Sequence, residues 1–96
     1  MRIAQVAPLF LSVPPKLYGG TERVVSFLTE ELVRQGHEVT LFASGDSKTT
    51  ARLVSVCQKG LWPIASYDEH VADYARMMYL VFQDVARFDV VHFHTE

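Results

Sequence analysis

Two adjacent glycines, Gly19 and Gly20, stand between an apolar run, Ile3-Ala4-Gln5-Val6-Ala7, and a helix-patterned run that begins at Arg23. This junction constrains the fold more than any other stretch. The apolar run is short and bounded by Pro8, as a buried strand would be. Glycines after such a strand let backbone amides approach a ligand closely, because no Cβ intervenes. The helix that follows aims unpaired N–H groups and the positive end of its dipole at the same place. A phosphate is the natural guest there. The structural alternative is a flexible loop followed by an N-cap at Thr21. Glu22 favours the helix dipole but would repel a phosphate directly above it, so a sugar hydroxyl or an acceptor suits the loop better.

The rest of the chain alternates in the same way. Arg2–Ala7 reads as the first strand and residues 9–18 as a proline-punctuated loop, long enough to suggest a function. From Thr21, Val24, Val25, Phe27, Leu28, Leu32 and Val33 recur at helical spacing, with Arg23, Glu30, Glu31, Arg34 and Gln35 opposite. Gly36 ends that helix as a left-handed cap. Glu38–Ala43 is the second strand, and residues 44–51 form a polar turn around Gly45-Asp46. Arg52–Cys57 is a short third strand, and residues 58–66 are irregular. A second helix starts at Asp68 with Val71, Tyr74, Ala75, Met78, Phe82 and Val85 on one stripe, and the Met77-Met78 pair fills core. Asp89–Phe93 is the fourth strand. This order predicts an α/β fold: a partial Rossmann-like parallel sheet of order 3-2-1-4 with flanking helices. Ligands of such sheets bind beyond the carboxyl ends of the strands, where the order reverses between strands one and four. The glycine loop follows strand one and His94 follows strand four, so both are expected at one crevice.

Ninety-six residues allow one small domain at most, and an apolar share of 49% supplies a core. A formal charge of −2 with scattered cations gives no footprint for nucleic acid. Pro14, Pro15 and Lys16 stand where a signal peptide would need small residues, and no stretch is long enough to span a membrane. The lone cysteine, Cys57, fits a reducing compartment and packs as a small hydrophobe. A soluble, cytoplasmic protein is expected.

His92 and His94 alternate with Val91 and Phe93 and therefore share one face of the last strand. A His-x-His pair needs a third ligand to hold a metal, and no acidic or thiol cluster of suitable spacing accompanies it; none is expected. The alternative is that both histidines bind loop backbone. His94 reaches furthest toward the crevice, His92 supports it, and His37 at the other end of the sheet is structural. Asp46 follows strand two where nicotinamide enzymes place a ribose-binding acid. The G-x-G-x-x-G pattern is absent, however, which discounts a dinucleotide cofactor.

Met1-Arg-Ile-Ala-Gln-Val-Ala-Pro8, Pro14-Pro-Lys-Leu-Tyr-Gly-Gly-Thr-Glu22, Gly36-His-Glu-Val-Thr-Leu-Phe-Ala-Ser-Gly45 and Asp89-Val-Val-His-Phe-His94 together resemble the amino terminus of a retaining family 4 glycosyltransferase of GT-B fold. The resemblance implies transfer of a hexosyl or other glycosyl group from a nucleotide-sugar donor to an acceptor, without metal or other cofactor. It implies that Gly19, Gly20 and Thr21 contact substrate, the glycine amides approaching the donor diphosphate. His94 would hydrogen-bond the transferred sugar, with His92 and Glu22 in support. It further implies that residues 1–96 are an incomplete N-terminal Rossmann-like domain, lacking the carboxyl-terminal donor-binding domain, and are inactive alone. Two other readings stay open: a non-catalytic nucleotide- or sugar-phosphate-binding module, and a structural interaction domain. The outer edge of the fourth strand carries none of the lysines, prolines or bulges that discourage pairing, so self-association through it is expected.

Overall fold

The computed structural model describes residues 1–9, 13–14, 20–57 and 68–94, the side chains of residues 68–70 excepted. Gly19 and residues 58–66 of the expected irregular segment lie outside that range, as does most of the loop after the first strand.

Four strands form one parallel sheet: β1 (Arg2–Val6), β2 (Glu38–Ala43), β3 (Arg52–Ser55) and β4 (Val90–Phe93), in the order β3-β2-β1-β4. The expected topology is the observed one. The physical reason is local: each run is short and carries β-branched residues, and right-handed crossovers leave few ways to arrange parallel strands. Backbone pairing outlasts the strands at their carboxyl ends. Val56 N–H donates to Ala43 O at 3.1 Å, and His94 N–H to Val6 O at 2.9 Å.

Helix α1 (Gly20–Arg34) connects β1 to β2, and α2 (Asp68–Gln83) precedes β4, with a single 3₁₀ turn at Val85–Arg87 between them. Gly36 ends α1 with φ 93°, a left-handed conformation that a Cβ would penalise. The helix begins one residue before the expected start, so Thr21 lies within its first turn, exposed, rather than at the N-cap.

The register divides the core by sheet face. Ala4, Val6 and Phe42 pack with Val56, Met77 and Val81, joined by Tyr74, Phe88 and Val91. This is the α2 face, and its cluster is apolar; Phe42 meets the Phe88 ring edge-on at 6.0 Å. Ala7, Leu41 and Ala43 pack with Val13 and Val25 on the α1 face.

Two expectations for the helices need correction. On α1, Val25 is buried, but so are Glu22, Ser26 and Thr29. Val24 and Phe27, expected inward, are exposed, Phe27 by 68%. On α2 the inward residues are Met77 and Val81 with Tyr74 and Leu80 beside them. Val71, Phe82 and Val85 of the expected stripe are exposed, Phe82 by 57%. Both helices are apolar over too wide an arc for counting alone to choose the face that packs. The expectation that methionine fills core is met by Met77, which is fully buried.

Candidate active site

The carboxyl edge of the sheet gathers the residues with chemistry. Strand β1 pairs β2 on one side and β4 on the other, so the order reverses between β1 and β4. Helix α1 runs back to the start of β2, where His37 N–H donates to Leu32 O and Glu38 N–H to Met1 O. Its first residue, Gly20, therefore stands at the carboxyl edge, as does His94 just beyond β4.

Gly20 has ordinary negative-φ helical backbone, and a Cβ built on it would meet nothing within 4 Å. Neither conformation nor packing calls for glycine there, and the space it faces is open. Thr21 is exposed beside it. Glu22 is buried, and its negative charge adds to the burial that raises the Tyr74 phenol above its ordinary range. Tyr74 in turn accepts the Leu9 N–H at 3.1 Å, tying the loop after β1 to α2. The same loop is held from β2's side, where Val13 N–H donates to Ser47 Oγ at 2.8 Å and Lys48 N–H to Val13 O at 2.7 Å. Leu9 and Val13 of that loop are thus tied to α2 and to the turn after β2.

Around His94 the register is decisive. Gln5 aligns with Leu41 on β2 and with His92 on β4, so Gln5, His92 and His94 share the α1 face of the sheet. The His94 Nε2–H donates to Gln5 Oε1 at 2.9 Å, because a carbonyl oxygen can only accept. The His92 and His94 rings lie 4.0 Å apart between centroids, tilted by 35°. Burial first, and the neighbouring His92 second, push the His94 pKa below the ordinary histidine value of 6.5. His94 is therefore a neutral imidazole at physiological pH. His92 is exposed and touches the His94 ring.

Gln5 was not among the residues singled out from sequence. It is wholly buried, and its Nε2 finds no partner among the described residues. The signal was present: a glutamine centred in an apolar strand must be satisfied or must carry a cost. Thr29 Oγ1 of α1 is a second buried polar atom in that condition.

The remaining sequence candidates lie elsewhere. His37 Nδ1 meets the Met1 amino group at 3.2 Å at the amino edge, a structural contact. Asp46 accepts from Ser44 Oγ at 2.5 Å within the turn after β2. The Cys57 thiol has its pKa raised by burial first and then by Asp73 and Asp46, which makes it a poor nucleophile. Among the described residues no three His, Cys, Asp or Glu side chains converge as a metal site would require. A cavity of about 400 Å³ opens at the amino edge, lined by Arg2, Arg52, Arg87, Glu38 and Asp84 among others. Two of its arginines are already matched by Asp89 and Asp84, at 4.0 and 3.8 Å. Among the described residues no helix is long and apolar enough to cross a membrane.

No curated protein matches the chain. The sequence model of Glycosyltransferase Family 4 matches residues 18–96, a span that runs from the glycine pair through β4 and His94. With a parallel α/β sheet built as the resemblance implied, the chain belongs to glycosyltransferase family 4, whose chemistry is glycosyl transfer.

Proposed function

We propose that this chain forms the amino-terminal wall of a retaining, GT-B-type glycosyltransferase that moves a sugar from a nucleotide-sugar donor to an acceptor. The observation that carries the reading is the pairing of two features at one sheet edge. Gly20 begins α1 facing open space, and His94 stands beyond β4 as an uncharged, hydrogen-bonded imidazole. A neutral imidazole suits a sugar hydroxyl. The open helix start suits the donor diphosphate, whose developing charge preorganised amides stabilise as the bond breaks. Buried Glu22 disfavours a phosphate seated directly on the helix axis. The diphosphate is accordingly shared between the Gly19–Gly20 amides and cationic groups on a second domain. Thr21, exposed in the first turn, contacts substrate beside them.

In this reading the 96 residues are inactive alone, because one wall of a cleft lacks most of its preorganisation. The site requires no metal or other cofactor, and the protein works in the cytoplasm. The outer edge of β4 pairs with no strand among the described residues, and Val90 and Phe93 are exposed on it. Copies of the chain therefore associate through that edge.

The test is direct. Purified chain is titrated with nucleotide sugars by ligand-observed NMR and assayed for turnover. Weak binding that His94→Ala abolishes, without turnover, is the expected result. Turnover by the chain alone would overturn its inactivity. Binding unaffected by His94→Ala would favour a nucleotide-binding module over a transferase wall.

A further inference from the structure

Gln5 is the fourth of the five residues of β1, an inner strand of the sheet, with no exposed surface. A glutamine in that position has four hydrogen-bonding capacities and a strand environment that meets few of them. One is used: Oε1 receives the His94 Nε2–H at 2.9 Å across 89 residues of sequence. The amide Nε2 has no partner among the described residues. A buried donor left unmet costs on the order of 1–3 kcal/mol, and an apolar residue of similar size would avoid that cost. The fold retains a glutamine all the same. What the cost secures is the state of one imidazole.

Neutral histidine carries its proton on one ring nitrogen and offers a lone pair on the other. The two nitrogens point away from each other across the ring. With Nε2–H committed to Gln5, Nδ1 is the acceptor and faces away from β1. The His92 ring, 4.0 Å away, limits rotation of the His94 plane, and the His94 N–H to Val6 O bond fixes its backbone.

We infer that Gln5 is a positioning residue: it holds His94 in the Nε2–H tautomer, so that Nδ1 presents a lone pair to a hydroxyl donor at the carboxyl edge of the sheet. His94 thus takes a hydrogen bond from a substrate hydroxyl and supplies none in return. A donor sugar with a deoxy or O-methyl group at that position loses the contact. The identity of the hydroxyl as one on the transferred sugar rests on the function proposed above; the control of the tautomer by Gln5 does not.

The experiment uses the 96-residue chain with ¹⁵N-labelled histidine. Two-bond ring correlations at neutral pH report which nitrogen of His94 carries the proton, with exposed His92 as internal reference. The expected result is a protonated Nε2, an unprotonated Nδ1 and an observable, slowly exchanging ring N–H. In Gln5→Met that ring N–H is lost to exchange. A bare Nε2 in the wild type, or an unchanged ring N–H in Gln5→Met, would overturn the inference. Should Gln5→Met fail to fold, Gln5→Glu keeps the acceptor and places a carboxylate against the ring. The ring N–H then persists and the His94 titration midpoint rises; a midpoint that does not move overturns the inference. In the active transferase, Gln5→Met lowers kcat/KM for the donor by roughly tenfold, the size of one well-placed hydrogen bond. If the tautomer behaves as described while His94→Ala leaves kinetics unchanged, the sugar contact is wrong and the role of Gln5 stands.

Discussion

The two faces of the sheet are built to different standards. The α2 face is a mostly apolar core of Ala4, Val6, Phe42, Met77 and Val81, and the Tyr74 hydroxyl at its margin is matched by the Leu9 N–H. The α1 face buries Gln5, Glu22, Ser26 and Thr29 beside Val25 and Leu41, and two of those polar residues leave a buried atom unmatched among the described residues. A chain of this size has little stability to spare, so polar groups are not buried without consequence. The difference teaches that one face supplies stability, while the other carries the buried polar groups and, in the proposed function, His94.

That division can be broken by experiment, and the largest effect falls on activity. In the active enzyme, His94→Ala lowers kcat by roughly a hundredfold, as loss of a preorganised contact does. His92→Ala and His37→Ala change it far less. Steady-state kinetics on folded variants decide the point, and equal small losses for all three would leave the α1 face without a catalytic group. Gly20→Val sharpens the same comparison. A Cβ there meets nothing among the described residues, so the melting temperature stays close to wild type while donor binding falls. A variant that unfolds instead would make Gly20 a structural residue.

On the opposite face the expected effect is on stability. Met77→Ala costs about 2–5 kcal/mol, the usual range for emptying a packed site, whereas exposed Phe82→Ala stays within about 0.5 kcal/mol. Denaturant unfolding of the two variants measures it. Comparable losses would mean that Phe82 is covered in solution, most simply by a second copy of the chain.

The smallest effect is one of pH. The folded-state pKa of His94 lies below the ordinary 6.5, because burial and then His92 oppose its charge. The unfolded chain therefore binds a proton more readily. The contribution is fully present above about 6.5, the unfolded value, and is lost as pH falls through the folded one. Stability should decline on acidification below neutrality, and less steeply in His94→Asn. Parallel pH profiles for the two proteins would remove His94 from the account.

How far the sequence could be read follows the same line. The strand order was legible because Ile3-Ala4-Gln5-Val6-Ala7 and Glu38–Ala43 are short apolar runs bounded by proline or glycine, and Gly36 closes a helix only one way. The packed faces of the helices were not. In α1 the inward stripe includes Ser26 and Thr29, which hydrophobic counting assigns to solvent, while Phe27 is exposed. In α2, Met77 and Phe82 belong to different stripes of comparable hydropathy, and only the neighbouring Phe42 and Val56 decide between them. The position of His94 just past the last strand was legible from the chain order. Gln5 was not, because its significance depends on a partner 89 residues away.

Arg2 and Asp89 make a reciprocal clasp whose influence reaches the other end of the sheet. Asp89 N–H donates to Arg2 O at 2.7 Å while Arg2 N–H donates to Asp89 Oδ2 at 2.8 Å. The clasp joins residues 87 apart at the mouth of the β1–β4 ladder. Side chains alternate along a strand, so a slip of one residue would send Val91 and Phe93 to the face that His92 and His94 now occupy. A short strand of four residues has few pairs with which to resist such an error. The aspartate works as a zero mark from which β4 is counted. Four and five residues later, that count decides whether an aromatic ring or an imidazole sits on the α1 face at the carboxyl edge.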